Sequence, residues 1–216
     1  MSGRICARAL AVLWSVLALT GVPEPGFVSL FDGKSLNGWQ FAGREGDGYL
    51  VEKGVLVCPA SGGGNLFTVK QYADFIFRFE FRLESNSNNG VGIRCPLAAK
   101  RTAYDGMEIQ IIDNDGPEYK GKLQPWQHHG SLYGVAPAKP GHLKKTGEWN
   151  QEEIVCKGRR ITVHLNGTTI LDVDLDSVRD PEILKQHPGL QRQSGHLGFL
   201  GHGSRVEFRN LRIKEL

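Results

Sequence analysis

Between Asp74 and Leu83 apolar and polar side chains alternate. Phe75, Phe77, Phe79, Phe81 and Leu83 fall on one side, and Ile76, Arg78, Glu80 and Arg82 on the other. A period of two is that of a strand with one face on a core, and a row of four rings calls for a thick core behind it. The same period recurs in Asp105–Gly116, where Met107, Ile109 and Ile111 alternate with Glu108 and Gln110, and Asp113 follows at the strand end. Val91, Ile93 and Cys95 repeat it, which points Arg94 outward. Further strands are expected at Phe27–Phe31, Tyr49–Glu52, Val55–Cys58, Asn150–Lys157, Arg160–Leu165, Thr168–Val173, His196–Leu200 and Val206–Ile213. Lys53-Gly54 and Asn166-Gly167 read as two-residue hairpin turns. Ser61–Gly64 reads as a flexible loop, Ser85–Gly90 as a turn, and Asp176–Gln186 as the place for one short helix. Roughly a dozen short strands with no internal repeat predict an all-β chain, a two-sheet antiparallel jelly-roll sandwich.

Residues 114–149 break the pattern. They are irregular, rich in Gly, Pro, Lys and His, and contain Trp126, His128, His129, Tyr133 and Trp149. A connection of that length in a compact domain usually binds something.

The chain start reads differently again. Arg4 and Arg8 precede the apolar run Ala9–Leu19, and Thr20-Gly21-Val22-Pro23 supplies small residues and a break. The run is too short for a comfortable membrane span and has the layout of a signal peptide. Residues 1–23 are therefore expected to be a signal peptide and 24–216 one domain, exported to a periplasmic or secreted location without stable membrane association. The 216 residues suffice for that single domain, and 28 glycines suit many turns. A formal charge of +3 with no dense basic run argues against nucleic acid as a partner. Once Cys6 leaves with the signal, Cys58, Cys95 and Cys156 remain; buried free thiols are the simplest expectation, with one disulfide as the alternative. No CxxC or HExxH zinc spacing, phosphate loop or Gly-x-Ser-x-Gly elbow is present.

Several separated pieces resemble the 3-keto-disaccharide hydrolase domain family, long a domain of unknown function. Phe27–Trp39 resembles its opening signature, Asn89–Arg94 its next strand and Glu108–Asp113 its central one. Gly130–Tyr133, Gly147–Asn150, Leu165–Gly167 and Phe208–Ile213 follow in the family's order. The resemblance implies a concanavalin-A-like jelly roll and action on 3-keto-glycosides by 1,2-elimination and rehydration. In one place the chain departs from the family pattern. Leu200-Gly201 precede His202-Gly203 where the family usually has Gln and then Asp or Asn.

A carbonyl at sugar C3 acidifies the hydrogen at C2. Elimination then needs a base, a donor or cation at the enolate oxygen, and an acid for the leaving group. Glu108 is the candidate base, or else a ligand for a metal or a sugar hydroxyl. Gln110 shares its face and suits a hydroxyl. Arg94 is a candidate for the enolate, with an ion pair to Glu108 as the alternative. His202, between glycines, suits proton transfer. Asp113 is read either as a site residue or as a plain turn. His128 or His129 is read as acid/base, metal ligand or surface residue, Tyr133 as a phenol donor, and Trp126 as a stacking platform. A divalent metal is the one cofactor considered. The carbohydrate partner is also compatible with a non-catalytic carbohydrate-binding module, or with a structural cell-surface domain, on the same fold.

Overall fold

The computed structural model describes residues 24–42 and 48–216; the expected signal segment at 1–23 lies outside the described residues. Among the described residues the chain runs through β1 (Val28–Ser29), β2 (Trp39–Ala42), β3 (Leu50–Glu52), β4 (Val55–Cys58), β5 (Gly63–Tyr72), β6 (Phe75–Leu83) and β7 (Asn88–Cys95). There follow α1 (Thr102–Asp105), β8 (Met107–Ile112), β9 (Trp149–Lys157), β10 (Arg160–Leu165), β11 (Thr168–Asp174), α2 (Pro181–Gln186), β12 (Gly195–His202) and β13 (Val206–Glu215). One sheet has the order β11-β10-β9-β6-β13-β4-β3, with β1 against β13; the other has the order β2-β5-β12-β7-β8. Every pairing is antiparallel, which makes the all-β two-sheet sandwich.

The alternation of β6 explains the core. Phe75, Phe77, Phe79 and Phe81 are all buried between the sheets. Phe199, from β12 of the opposite sheet, meets them. Its ring lies 4.0 Å from Phe208, 5.8 Å from Trp39, 6.1 Å from Phe79 and 6.3 Å from Phe77, centroid to centroid. The expected hairpin turns form at Lys53-Gly54 and Asn166-Gly167, with positive φ at all four residues, as a two-residue turn between twisted strands requires.

Some boundaries differ from the pattern reading. Ser61–Gly64 is no free loop, because β5 already begins at Gly63 and pairs there with His202. The 85–90 turn is shorter than expected, since β7 starts at Asn88. α1 was not anticipated at all; four residues are too few for a helical period to show.

The largest correction is at Arg94. It has φ +51°, and where β7 meets β12 the register slips, so that Ile93 and Arg94 together oppose Leu197. This is a β-bulge, and a bulge exchanges the faces of the residues beyond it. Arg94 is therefore turned away from the outer face and buried, 1% exposed, with its guanidinium donating to Ala73 O, Arg192 O and Asp74 Oδ1. Cys95, expected on the main core face, packs instead with Phe67 and Leu200 on the far side of the sheet. Cys58, Cys95 and Cys156 are all buried free thiols, and burial pushes Cys95 and Cys156 up to about 12.

Phe199→Ala is expected to cost about 3–5 kcal/mol of stability, read from denaturant midpoints, because its ring bridges both sheets. Loss of under about 1 kcal/mol would show that the two layers hold without it.

Candidate functional site

The outer face of the five-stranded sheet collects the polar residues of the central strands. Gly92 opposes Glu108 and Gly90 opposes Gln110 across β7 and β8; Leu200 on β12 opposes Gly90. Directly opposed residues share a face, so Glu108, Gln110, Asn88, Leu200 and His202 all point the same way. The two glycines leave that face bare, and the Glu108 side chain fills the gap. A Cβ at Gly90 would fall 1.9 Å from Glu108 Oε1. Lying across β7, this carboxylate comes within 3.6 Å of His202 Nε2, too long for a direct hydrogen bond. Glu108 is 4% exposed and His202 47% exposed on their side chains, so a buried carboxylate meets an imidazole open to solvent.

Three acceptors on this face have no hydrogen-bond partner: Glu108 Oε1, Gln110 Oε1 and Asn88 Oδ1, all buried. A buried orphan acceptor costs about 1–3 kcal/mol, and three on one face are what a ligand with several donors would satisfy.

The long 114–149 segment forms the wall beside β8. Gln110 N–H donates to Ser131 O, and Tyr133 N–H donates to Glu108 O, so the segment pairs with β8 like a further strand. Tyr133 thereby opposes Glu108 on the outer face. Its ring meets Trp126 edge-on at 5.2 Å and Tyr104 of α1 edge-on at 6.3 Å. Tyr104 lies 4.6 Å from the His187 ring, and the Arg101 guanidinium sits over the Tyr104 ring, 4.6 Å from its centroid. Burial pushes the Tyr104 phenol above its ordinary value, and neighbouring Tyr133 and Glu108 add to this while Arg101 opposes it. Asn65 on β5 donates to Thr102 Oγ1, 2.9 Å away, tying α1 to the same sheet.

Residues 26–214 match the family model of the 3-keto-alpha-glucoside-1,2-lyase-like domain. The chain belongs to that family. A Bacteroides thetaiotaomicron protein named 3-keto-disaccharide hydrolase is 26% identical over 235 aligned residues, covering 90% of this chain and 80% of its own. The solved structure of an inferred glycosyl hydrolase from Parabacteroides distasonis is 27% identical, with a TM-score of 0.76 over 88% of this chain and 94% of its own. A carbohydrate-binding module from Bacillus subtilis, 12% identical with a TM-score of 0.53 over 82% of this chain and 96% of its own, shares the fold alone. Membership of the 3-keto-alpha-glucoside-1,2-lyase-like family supports a glycoside-hydrolase-like role.

Within this family member, the structure brings together Glu108, Gln110, His202 and Tyr133, with Trp126 beside Tyr133. It separates the others. Arg94 neither reaches the face nor pairs with Glu108; its ion pair is with Asp74, 3.1 Å away. Asp113 serves as a turn: its Oδ2 accepts Asn86 N–H, and its carbonyl accepts Gly116 N–H. His128 donates from Nδ1 to Pro125 O within its own loop. His129 is no surface residue: its ring is buried in the core, stacked on Phe81 at 5.0 Å. Leu200 lies on the outer face against Phe67, and a Cβ at Gly201 would fall 2.7 Å from Gly63 Cα. The departure from the family's pattern is therefore an apolar floor followed by a close backbone crossing.

Asn88, Tyr104 and the paired glycines were missed. Glycines in alternate positions of a strand mark a surface open to a close neighbour, and Gly90 and Gly92 were visible as such. Nothing local marked Asn88 or Tyr104. Among the described residues no three His, Cys, Asp or Glu side chains converge on one point. Glu108 Oε1, Gln110 Oε1 and His202 Nε2 are the atoms suited to a divalent cation, two oxygens and one imidazole nitrogen.

His187 links α1 to the wall, since a Cβ at Gly134 would fall 2.6 Å from its ring. Burial, and secondarily Arg101, lowers its pKa below the ordinary value. The folded state then binds fewer protons than the unfolded chain. This contribution to stability is complete above about pH 6.5 and declines as pH falls towards the folded pKa. Thermal midpoints measured from pH 7.5 to 5.5 should fall less steeply in His187→Gln than in the parent; identical slopes would remove His187 as a source of acid lability.

Proposed function

We propose that the chain is an exported enzyme that cleaves 3-keto-glycosides by 1,2-elimination and then hydrates the product. The observation that carries this reading is the Glu108 carboxylate laid across Gly90, with a partnerless Oε1 and His202 3.6 Å away. Export is supported by the basic and apolar N-terminal pattern of Arg4, Arg8 and Ala9–Leu19.

Glu108 takes the hydrogen from C2, and the C2–H electrons form an enolate onto the C3 oxygen. Oε1 of this carboxylate has no hydrogen bond to give up and is free to accept that proton. The side-chain amide of Gln110, beside Glu108, has donors for the enolate oxygen. Collapse of the enolate restores the C3 carbonyl, forms C1=C2 and breaks the bond from C1 to the leaving oxygen. That oxygen takes a proton from His202 or from the Tyr133 phenol, the two groups flanking Glu108. In the second step the hydroxyl of water adds at C1 while its remaining proton returns to the group, His202 or Tyr133, that protonated the leaving oxygen; C2 regains its proton from Glu108, and a free 3-keto-sugar results. A divalent cation held by Glu108, Gln110 and His202 would supply Lewis-acid stabilisation to the same oxygen. The Trp126–Tyr133–Tyr104 rings suit the apolar faces of the sugar or its aglycone.

With a 3-keto-glucoside and sugar release as the readout, with and without added divalent metal, Glu108→Gln is expected to lose about 100-fold or more in kcat while still binding the sugar. Undiminished turnover would reject Glu108 as the base, and sugar binding without turnover in the parent would favour a non-catalytic carbohydrate-binding module. Gly90→Ala pushes the carboxylate off its bed and should lower kcat about tenfold or more, with little change in the thermal midpoint. Parent-like kcat in that variant would show that the bed is not needed.

A further inference from the structure

Glu152 stands on the inner face of β9, opposite Phe79 on one side and Leu165 on the other. Its carboxylate is 0% exposed. Its neighbour is His129, 1% exposed, with Nε2 3.0 Å from Glu152 Oε2 and the ring stacked on Phe81. None of the four heteroatoms of the pair makes a well-aligned hydrogen bond. A buried acid and imidazole cost more in desolvation than an apolar pair of the same volume, so stability does not explain their presence.

The backbone around His129 shows what the pair can do. Gly130 has φ +78°, and its N–H donates to Gln110 O while Ser131 O accepts Gln110 N–H. Two residues thus oppose one, a bulge with glycine in the left-handed position. The bulge lets the His129 ring drop into the core while Ser131 and Tyr133 stay on the outer face. A Cβ at Gly130 would fall 2.2 Å from Ile170 Cδ1, which leaves the bulge no room to slide inward. His129 N–H is held in turn by Asn114 Oδ1 at 2.9 Å. The strip from His129 to Tyr133 is therefore pinned at one end in the core and hydrogen-bonded at the other to the backbone of both Gln110 and Glu108.

We infer that the buried His129–Glu152 pair is a positioning device: it sets the register of the Tyr133 strip against Glu108 and Gln110. An apolar pair packs there equally well but lacks the 3.0 Å polar contact between His129 Nε2 and Glu152 Oε2, so it leaves the strip free to shift by a fraction of an ångström. The role of that register in turnover rests on the proposed elimination chemistry; the register itself does not.

The test uses the full chain carrying His129→Phe with Glu152→Leu, and separately Glu152→Gln. The double variant should keep the parent's thermal midpoint or exceed it. Amide exchange at Gly130 and Tyr133 should speed up about tenfold or more, while Phe79 and Ile154 in the core stay protected. On a 3-keto-glucoside its kcat should fall about tenfold or more with KM changed much less, and Glu152→Gln, which keeps the shape and a polar atom facing His129 Nε2, should recover most of that loss. Parent-like exchange at Gly130 and Tyr133 in the folded double variant overturns the inference. Should the double variant not fold, a folded His129→Leu single variant takes its place, and parent-like exchange at Gly130 and Tyr133 in that variant overturns the inference as well. If the parent itself turns over no keto-sugar, the exchange measurements still decide, and only the elimination reading fails.

Discussion

The structure depends on one contact between its two layers, the ring of Phe199 set among Phe77, Phe79 and Phe208. Burying aromatic area is the main stabilising term available to a sandwich of short strands. It also locks register. Phe199 must point inward, so Leu200 must point outward and His202 with it. The position of the imidazole at the site is thus a consequence of core packing three residues earlier in the same strand.

A second constraint comes from the absence of side chains. Gly90 and Gly92 leave the middle of the outer face at backbone height, and the Glu108 carboxylate lies in that space. On the opposite sheet Glu80 is paired with Arg209 and also accepts from Asn210, and Glu207 is paired with Arg82 and Arg205. Glu108 alone on this face has an oxygen that is buried and unpartnered beside an imidazole. An acid kept from its own salt bridges is available to a substrate, which is why the site reads as chemistry rather than as stability.

The wall built by the long segment joins these two constraints. It leaves the outer face through Tyr133 and enters the core through His129, and Gly130 makes the change of side possible. Core and site therefore share a single stretch of backbone. Changes in packing under Phe81 reach Tyr133 without any intervening side-chain relay.

Much was legible in the chain as written. Strand alternation identified the inner faces of β6 and β8, the Asn-Gly and Lys-Gly dipeptides identified their turns, and Glu108, Gln110, His202 and Tyr133 were singled out before their proximity was visible. Arg94, Cys95 and His129 went to other places than expected, and of the two readings of Asp113 the turn is the one that forms. Alternation is a local rule, and it fails where pairing with a strand distant in sequence inserts an extra residue, as β12 does at Arg94 and β8 does at Gly130. Asn88 and Tyr104 carried no local signal because their importance lies in which acceptors and rings stand next to them. The sequence alone determined which side chains are apolar enough to be buried, and so the two-layer architecture. The tertiary structure alone decided which polar groups meet, because that depends on strand register and bulges, and these are set by contacts across more than a hundred residues of chain.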